Sequence, residues 1–503
     1  MYGDVRKCAG IYEKKGTAMD IGILFNQIVQ NSTWINIILA LIIVYANRRR
    51  PARSTMLWVM MIAIFPIIGF FPYLLMGRDT RRRKLFQQKE SLDVDVLQHA
   101  LIKWDEVTTH LPIEEEGRFQ DYLELIRLNV RMGLTNLSGD NDVEAIFDGR
   151  AKFLRLIQDI DEAKEEINFQ YYILKSDNLG AIVIEALMRA ARRGVTVRVL
   201  TDGVGGRNLS KEMRRMMQEV GIRIGIFYPS FLRYINLRLN YRNHRKIVTI
   251  DERIGYIGGF NVGDEYIGRY SRFGYWRDTH LRIEGSAVAD LKIRFLQDWS
   301  FVMGESESVQ LEVNAHPSEK GDAFCQLVFS GPDTPLANIK LSMLKMIASA
   351  DDVIYIQTPY FIPDQSIFEA LVLALQQGVQ VNLMIPNRPD HPVVFPATLS
   401  FAGDLVRAGA NVYRYEKGFL HSKVMLIDDY VSLVGSCNVD ERSFSLNFEA
   451  SELVYSQKIN AALKRAFHED MQVSTLLTRE VYESRGPMLK IKEPICRLFA
   501  PLL

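Results

Sequence analysis

The chain has 503 residues, of which 48% are hydrophobic and 24% are charged, so it is long enough for two or three globular domains. Its charge is unevenly placed: residues 1–84 contain 13 Lys and Arg against 4 Asp and Glu, which leaves 48 basic and 56 acidic residues for the remainder. A net-acidic remainder lacks the broad positive field with which nonspecific nucleic-acid binders displace counterions, and this argues against a nuclease.

The first hydrophobic segment extends from Ile21 to Ala46. Its second half, WINIILALIIVYA, is strongly apolar, although its first half carries amide side chains. We predict that this segment spans a membrane. It is not expected to be a secretory signal peptide, because the first twenty residues are long and polar and no small-residue cleavage site follows, so the anchor should stay attached.

A second hydrophobic segment, Ser54 to Gly77, contains no charged residue in 24 positions and has basic residues beyond both ends. At about 1.5 Å per residue, a helix of this length crosses a hydrocarbon core about 30 Å thick. We therefore predict a transmembrane helix. Pro66, Gly69 and Pro72 leave a kinked or re-entrant segment as the alternative.

The basic residues predict a topology for this membrane anchor, residues 1–84. If both segments span, 9 basic residues lie near the membrane ends on one side, against 4 in the connecting loop. The positive-inside rule then predicts a multi-pass protein of the cell membrane with its large domain in the cytoplasm, whereas a single span would place that domain on the other side. Residues 85–141, with helical stretches such as Gly117 to Arg131, are interpreted as a connector without catalytic residues.

A repeated pattern of strand, helix and strand follows. In the first copy, INFQYYIL (167–174) precedes AIVIEALMRAARRG (181–194) and VTVRVLTDG; in the second, DVIYIQTPYFI (352–362) precedes SIFEALVLALQQG (366–378) and VQVNLMIPN. The β-branched runs are too short for helices, and both helical patterns end at glycine. Each copy therefore predicts parallel strands covered by a helix.

Each copy ends in a comparable strand-turn-strand pattern, HRKIVTIDERIGYIGGFNV (244–262) and HSKVMLIDDYVSLVGSCNV (421–439). The agreement in element order and spacing indicates an internal duplication. The predicted fold is α/β, with two pseudo-twofold related sheets flanked by helices, after an N-terminal transmembrane helical segment. The first half is assigned to residues 142–310 and the second to residues 311–503.

The duplicated pattern carries a His-x-Lys pair in each half. His244 precedes Lys246 by two residues, and His421 precedes Lys423 by the same interval. On a strand, both side chains of such a pair project from one face, where a phosphate could sit between them. At matched distances each pair is followed by an aspartate, a glycine and an asparagine: Asp251, Gly258 and Asn261, then Asp428, Gly435 and Asn438. A single pair would usually be inert, but two complete copies 177 residues apart predict a duplicated active site.

These paired His-x-Lys-x4-Asp motifs, each followed by Gly-Gly/Ser-x-Asn, resemble the phospholipase D superfamily. Further stretches resemble its bacterial cardiolipin synthase branch: YRNHRK (241–246), GGFNVGDEY (258–266), WRDTH (276–280), TPYFIPD (358–364) and GSCNVDERSFSLNFE (435–449). The two N-terminal hydrophobic segments are also similar to that branch, so the resemblance covers nearly the whole chain.

The resemblance implies a phosphatidyltransferase that moves a phosphatidyl group from one phosphatidylglycerol to another and gives cardiolipin and glycerol. It implies that His244 attacks phosphorus to form a phosphohistidine, and that His421 protonates the departing glycerol and then deprotonates the incoming alcohol; the reverse assignment is open. Lys246 and Lys423 are expected to bind the phosphoryl oxygens. The expected partners are phosphatidylglycerol and cardiolipin in the membrane, and nucleic acid is not among them.

The resemblance also implies residues around this catalytic set. The phosphate-binding residues are Asn261, Ser436 and Asn438, and the supporting residues are Gly258, Gly259, Gly435 and Glu449. Asp251 and Asp428 are expected to orient and charge-balance the histidines or lysines. The first half has Gly259 where the second has Ser436, so one half-site is expected to lack a hydroxyl contact.

This chemistry requires no cofactor and no metal, and the sequence shows no cluster with metal-ligand spacing. The four cysteines are far apart and are expected to be free thiols: Cys8, Cys325, Cys437 and Cys496. His280 and His391 are single and are interpreted as structural histidines with satisfied hydrogen bonds.

Several other functions are compatible with parts of this pattern. A phospholipase D-type hydrolase would resolve the phosphohistidine with water and release phosphatidic acid, and a phosphatidylserine synthase would use the same half-sites. A nuclease is disfavoured by the membrane segments and the acidic remainder. A noncatalytic membrane scaffold is disfavoured because both motifs are complete.

Overall fold

The computed structural model describes residues 34–46, 52–65, 69–70, 73, 122–133, 135–228, 241–304 and 313–500. The chain forms two compact units, Met1–Thr80 and Arg81–Leu503. The described part of the predicted connector contains helix α3 (Leu123–Gly133) and the first residues of strand β1 (Ser138–Asp148).

The N-terminal unit contains helices α1 (34–46) and α2 (Ala52–Ile64). Trp58 and Tyr73 are buried, and their rings meet edge to face with centroids 5.6 Å apart. Within the described ranges, no helix has the length and apolarity required to cross a membrane. The predicted hydrophobic segments are longer than these two helices, and the rest of each segment lies partly outside the described residues.

The first repeat follows helix α3 (Leu123–Gly133). Its elements are β1 (Ser138–Asp148), α4 (Gly149–Glu162), β2 (Glu166–Tyr171), α5 (Asn178–Arg192), β3 (Thr196–Asp202), α6 (Lys211–Glu219), β4 (Arg223–Phe227), β5 (Ile247–Ile250), β6 (Ile254–Gly258), β7 (Tyr275–Glu284) and α7 (Ala287–Met303). Asp177 caps α5 by accepting a hydrogen bond from the N–H of Gly180. The helix ends before Gly194, whose φ of 95° favours glycine, as the sequence predicts.

The second repeat has the same main succession, with three short strands and one short helix inserted and with further elements added at its C-terminal end. Its elements are β8 (Ala323–Ser330), α8 (Asn338–Ala348), β9 (Val353–Gln357), β10 (Phe361–Ile362), α9 (Gln365–Gln376), β11 (Gln380–Pro386), α10 (Val394–Arg407), β12 (Asn411–Tyr415), β13 (Gly418–Leu420), β14 (Val424–Ile427), β15 (Val431–Gly435), β16 (Val439–Asp440), α11 (Glu441–Ser445), β17 (Glu449–Tyr455), α12 (Gln457–Gln472), β18 (Ser474–Leu476), α13 (Arg479–Glu483) and α14 (Pro487–Leu498). Asp364 caps α9 as Asp177 caps α5, and Gly378 follows α9 with a φ of 94°.

One continuous sheet joins most of the described strands, in the order β18-β12-β11-β9-β14-β15-β17-β8-β1-β7-β6-β5-β2-β3-β4, and β13 pairs with β7. The order is symmetric about the β8–β1 pair, apart from the extra strand β18, so the predicted duplication is confirmed. The prediction of two separate sheets is wrong. Strands β1 and β8 pair antiparallel, with Asn141 opposite Ala323, and join the two halves edge to edge.

The parallel strands predicted in each half are present. Strand β3 lies between β2 and β4 in the first half, and β11 lies between β9 and β12 in the second, with all four pairings parallel. The helices pack on these strands, and each half has its own large apolar core. Strands β5 and β14, which follow the two His-x-Lys pairs, run antiparallel to β2 and β9. The sheet therefore carries the two motifs on its inner strands, on either side of the β1–β8 junction.

Candidate active site

Each His-x-Lys pair lies in extended residues directly before a buried strand. The sequence predicts that each strand begins at the histidine. In the structure, β5 begins one residue after Lys246 and β14 begins one residue after Lys423. The Nζ atom of Lys246 donates a hydrogen bond to the backbone carbonyl of His244 at 2.6 Å, and Lys423 contacts His421 in the same way. Each ammonium group is therefore held beside the histidine of its own motif.

The two imidazoles are held by carboxylates from the opposite repeats. Nδ1 of His244 lies 3.0 and 3.1 Å from the two carboxylate oxygens of Glu449, at the start of β17. Nδ1 of His421 lies 2.6 Å from Oδ2 of Asp278, on β7. A carboxylate only accepts hydrogen bonds, so Nδ1 of each ring carries the hydrogen and Nε2 presents its lone pair. The half-sites thus exchange carboxylates and form one site.

Backbone hydrogen bonds repeat this exchange between the halves. The N–H of His244 donates to the carbonyl of Phe448 at 2.9 Å, and the N–H of His421 donates to the carbonyl of Arg277 at 2.7 Å. Each acceptor directly precedes the carboxylate residue that holds the same histidine. Strand β13 also pairs in parallel with β7, which attaches the second motif to the first repeat. Both the main chain and the side chains therefore fix the histidines relative to one another.

Asp278 was not singled out by the sequence pattern, although Glu449 was. Asp278 lies in the WRDTH stretch, two residues before His280, which is the partner of Gly258 in the β6–β7 ladder. Glu449 occupies the same position in the β15–β17 ladder, two residues before the partner of the motif glycine. An alignment of these two strands by register is the signal that identifies Asp278 as its counterpart.

The two carboxyl groups are ionised. Burial alone would raise the pKa of Asp278, but Lys423 and His421 outweigh it and lower that pKa below its ordinary value. Burial likewise opposes ionisation of Glu449, whose pKa is nevertheless lowered by His244 and by Lys246. The site therefore holds two anions, each against one imidazole, and this fixes the tautomer of both rings.

Burial lowers the pKa of the four basic groups in the site. The pKa falls to about 7 for Lys246 and to about 8 for Lys423, because desolvation disfavours the ammonium form more than the two carboxylates stabilise it. Burial also lowers the pKa of His244, and lowers that of His421 to about 3, with the lysines adding to the effect. Both imidazoles are therefore neutral without a ligand, and a phosphodiester anion would favour their protonation.

The motif aspartates bind backbone amides at the far ends of the motif strands. Asp251 accepts hydrogen bonds from the N–H groups of residues 164–166 at 2.8–2.9 Å, and Asp428 accepts from those of residues 351–353 at 2.9–3.2 Å. Both aspartates adopt left-handed backbone with φ of 51°. This corrects the expectation that Asp251 and Asp428 orient and charge-balance the histidines or lysines, because their oxygens are engaged in closing a turn instead.

Asp251→Ala is therefore expected to act on stability. It removes a charged acceptor of three backbone N–H groups and places alanine at positive φ, so the free energy of unfolding should fall by about 2–4 kcal/mol. Asp251→Asn should cost less, because asparagine tolerates left-handed backbone and keeps an acceptor. Thermal unfolding of the purified proteins, followed by circular dichroism, measures both. Loss of turnover at unchanged stability would show that Asp251 acts in the reaction.

Ser436 and Gly259 occupy equivalent positions beside the two carboxylates. Oγ of Ser436 donates a hydrogen bond to Glu449 at 2.5 Å and accepts one from the N–H of Ala450 at 3.1 Å. A Cβ atom at Gly259 would lie 2.0 Å from Oδ1 of Asp278, so any side chain there would displace that carboxylate. This corrects the predicted phosphate contact of Ser436, because its fully buried hydroxyl instead positions the carboxylate of Glu449.

The other motif glycines allow neighbouring strands to approach. A Cβ atom at Gly258 would lie 2.5 Å from Cα of His280, and one at Gly435 would lie 2.2 Å from Oγ of Ser451. A larger residue at either position would push β7 or β17 away from its neighbour. Because these strands carry the two carboxylates, the close approach is compatible with the supporting role that stays a prediction for both glycines.

The motif asparagines are buried next to their histidine strands. Oδ1 of Asn261 accepts a hydrogen bond from the N–H of Ile173 at 3.2 Å, while Nδ2 donates to Tyr266 at 3.2 Å. Nδ2 of Asn438 donates to Asp440 at 3.1 Å. An amide nitrogen has two hydrogens, so each Asn retains one N–H beyond these bonds. The phosphate-binding role of both residues stays a prediction.

A buried polar layer beneath the site was missed by sequence reasoning. Arg245, inside the first motif, donates to both oxygens of Asp298 on α7 at 2.7 Å, and Gln170 on β2 donates to the same carboxylate at 2.8 Å. In the second half, Gln357 on β9 donates to Asp470 on α12 at 2.8 Å. These contacts fasten the first motif and strands β2 and β9 to a covering helix in each half. Isolated Gln and Asp residues far apart in sequence give no local signal of such a contact.

The remaining predicted residues lie around this layer. His280 is fully buried, and neither ring nitrogen has a hydrogen-bond partner among the described residues, so the expectation of a satisfied histidine is wrong. Burial lowers its pKa and keeps it neutral. The described cysteines are free thiols, Cys325, Cys437 and Cys496, while Cys8 lies outside the described residues. No group of three His, Cys, Asp or Glu in the described part of the chain is arranged to hold a metal ion.

Two family models match the chain. The model described as "Cardiolipin synthase, PLD-like domain" matches residues 156–298 and 343–471, and the model described as "Phospholipase_D-nuclease N-terminal" matches residues 34–78. The first model thus matches once in each repeat. Each of its two matches includes one of the His-x-Lys pairs.

Relatives of similar length match over nearly the whole chain. The chain is 44% identical over 474 residues to the major cardiolipin synthase ClsA of Bacillus subtilis strain 168, which covers 93% of this chain and 97% of that protein. It is 42% identical over 491 residues to a cardiolipin synthase of Staphylococcus aureus strain N315, and the match covers 96% of this chain and 97% of that protein. The solved phosphatidylserine synthase of Haemophilus influenzae Rd KW20 superposes with a TM-score of 0.57 at 14% identity, over 75% of this chain and 96% of that one. This last likeness shows the fold alone.

Proposed function

This chain belongs to the phospholipase D-like cardiolipin synthase family and is a phosphatidyltransferase; we propose that it joins two phosphatidylglycerol molecules through a phosphohistidine on His244. The observation that supports this mechanism is the crossed pair of contacts, His244 with Glu449 and His421 with Asp278. Each contact leaves one Nε2 lone pair available, so each histidine can act as a nucleophile or a base, and we infer that both act on one phosphorus centre.

In the first half-reaction, Nε2 of His244 attacks the phosphorus of one phosphatidylglycerol. The new N–P bond forms as the bond from phosphorus to the glycerol oxygen breaks, and His421 gives its proton to the departing glycerol. Glu449 stabilises the positive charge that develops on the attacking imidazole. The products are glycerol and a phosphatidyl group on His244.

In the second half-reaction, the neutral His421 takes the proton from the primary hydroxyl of a second phosphatidylglycerol. The alcohol oxygen attacks phosphorus, the N–P bond breaks, and cardiolipin is released. His421 is then protonated again, which restores the acid for the next cycle. One histidine thus forms the covalent bond while the other moves the proton in both directions.

Binding of the substrate supplies a negative charge that favours protonation of the basic groups in the site. Without a ligand, burial keeps His421 neutral, whereas the first step requires it protonated. A phosphodiester carries one negative charge, and its binding next to the imidazole and the two lysines raises the pKa values of all these groups. We therefore assign Lys246 and Lys423, together with amide donors of Asn261 and Asn438, to the phosphoryl oxygens.

The second proposal concerns the membrane. We propose that the hydrophobic segments Ile21–Ala46 and Ser54–Gly77 anchor the chain as a multi-pass protein, with the catalytic unit in the cytoplasm. Its support is the uncharged run of 24 residues in the second segment and the 9 to 4 distribution of basic residues. A reporter fused after Lys84 should be active only in the cytoplasm. If that fusion is active only outside the cytoplasm, the proposed topology is refuted, but the proposed enzymatic reaction is not.

Products formed from phosphatidylglycerol alone separate the transferase from a hydrolase. We expect purified enzyme with phosphatidylglycerol in detergent micelles to give cardiolipin and glycerol in equal amounts. Phosphatidic acid in place of cardiolipin would assign water as the acceptor. The comparison is repeated with added serine, because a phosphatidylserine synthase would give phosphatidylserine. The matched control is His421→Ala, which should form none of these products at a comparable rate.

A further inference from the structure

The C-terminal helix α14 buries its acidic residue against the second repeat. Its only acidic residue, Glu493, is 1% exposed and accepts hydrogen bonds from Arg485 at 2.9–3.0 Å and from Tyr482 at 3.0 Å. Cys496 is also buried, and Leu489 packs against the apolar core of the second repeat. The inner face of this helix is therefore occupied by an ion pair and a few apolar atoms.

Its outer face is apolar and exposed. The exposed side chains recur at helical spacing and have the following exposed fractions: Met488 77%, Ile491 62%, Ile495 51% and Leu498 58%. At 100° per residue these four side chains fall within about 80° of one another, on the side opposite Glu493. Scattered exposed apolar residues are ordinary, but a continuous stripe of this kind indicates a surface that meets something apolar.

Positive charge accompanies the stripe. Lys490 and Lys492 are exposed on the same helix, and the helix has no exposed acidic residue to offset them. Exposed apolar residues combined with lysines, on a helix too short to span a bilayer, are the features of a helix that lies in the plane of a membrane interface. The lysines complement anionic head groups such as that of phosphatidylglycerol.

The helix is also connected to the active-site side of the second repeat. It runs antiparallel to α10, since Arg497 contacts Ser400 and Asp404, while Arg407, near the end of α10, contacts Glu483 before α14 begins. The last turn of α14 therefore lies beside the middle of α10 and points toward the start of that helix. That start follows the loop whose Asp390 accepts a hydrogen bond from Tyr360 and favours the protonated form of Lys423.

We propose that the outer face of α14 is a docking surface for an anionic lipid bilayer, and that it holds the catalytic unit against the membrane from which it takes its substrates. This inference rests on the proposed function, because that function requires access to lipids in a bilayer. The occupant is the lipid surface; a second copy of the chain on the same stripe is the alternative that the experiment separates.

The test uses the full-length chain with Cys8→Ser, so that an environment-sensitive fluorophore can be placed at Ile491→Cys. In phosphatidylglycerol vesicles, the emission should shift to the blue and be quenched by lipids that carry a spin label in the acyl chain. The same label at Leu154→Cys, which is 63% exposed on α4, should show neither change. The proposal would be overturned if the enzyme forms cardiolipin in these vesicles while the emission of the label at position 491 stays at the wavelength it has in water. Energy transfer between labelled copies, without lipid quenching, would also overturn it and assign the stripe to a second copy.

A kinetic comparison separates this surface from the reaction itself. Ile491→Glu with Ile495→Glu should raise the apparent KM for phosphatidylglycerol in vesicles by about tenfold or more, because charges replace two isoleucines that the proposal places in the bilayer. The rate in detergent micelles should be unchanged, and Leu154→Glu should change neither rate. Equal loss in vesicles and micelles would overturn the docking role. Absence of cardiolipin from the unsubstituted enzyme in micelles would instead refute the proposed function, whatever the position of the label.

Discussion

Replacing His244 with alanine is expected to abolish turnover and the covalent intermediate together. The variant lacks the only atom assigned to attack phosphorus, so the whole two-step route is lost. The measurement is rapid mixing with phosphatidylglycerol labelled on phosphorus, quenched without acid because a phosphohistidine is acid-labile. His244→Ala should show no labelled protein at any time, whereas the unsubstituted enzyme should show a transient fraction.

His421→Ala should give a different result in the same experiment. Its loss removes the acid and base but leaves Nε2 of His244 in place, so turnover should fall by about 10²- to 10⁴-fold while some labelled protein still accumulates. His316→Ala is the matched control, because this histidine contacts Glu252 in the turn between β5 and β6, and its loss should change neither signal. If His244→Ala accumulates label and His421→Ala does not, the two roles are reversed. Absence of label in every variant and in the unsubstituted enzyme would refute the phosphohistidine.

Neutralising either crossed carboxylate is expected to reduce turnover by about 10²- to 10⁴-fold. Asp278→Asn keeps the shape of the side chain but allows an amide N–H to face Nδ1 of His421, which moves the ring hydrogen to Nε2 and removes the base. Glu449→Gln has the same effect on His244. Steady-state rates of cardiolipin formation measure the loss. Asp251→Asn is the control, because it neutralises a motif aspartate that contacts only backbone; an equal loss there would show that the effect is structural.

The pH dependence separates a positioning role from simple loss of structure. Removing the anion at position 278 or 449 leaves burial unopposed, so the pKa of the facing histidine falls further below its ordinary value. His421 must be protonated in the first step, so in Asp278→Asn the alkaline limb of the profile should move to lower pH. His244 must be neutral, so in Glu449→Gln the acidic limb should move to lower pH. If turnover decreases at every pH while the acidic and alkaline limbs stay at the same pH, the assigned roles are contradicted.

Local patterns in the sequence determined the repeated strand-helix-strand units, the glycine ends of helices α5 and α9, and the His-x-Lys pairs. These depend on residues within a few positions of one another, where side-chain alternation, helix caps and positive φ angles leave a direct signature. The duplication could be recognised for the same reason, since each half repeats its own local pattern. The histidines and lysines proposed to be catalytic were therefore named without a structure.

The tertiary structure decided how the halves meet and which carboxylates serve which histidine. Glu449 is 205 residues from His244, and Asp278 is 143 residues from His421, so no local pattern links either pair. They come together because the β1–β8 pair joins the two halves edge to edge, with β13 lying along β7. The same long-range packing directs the motif aspartates to backbone amides and turns Ser436 toward Glu449, because the space left between paired strands, and not the residue type, determines what a buried polar side chain can reach.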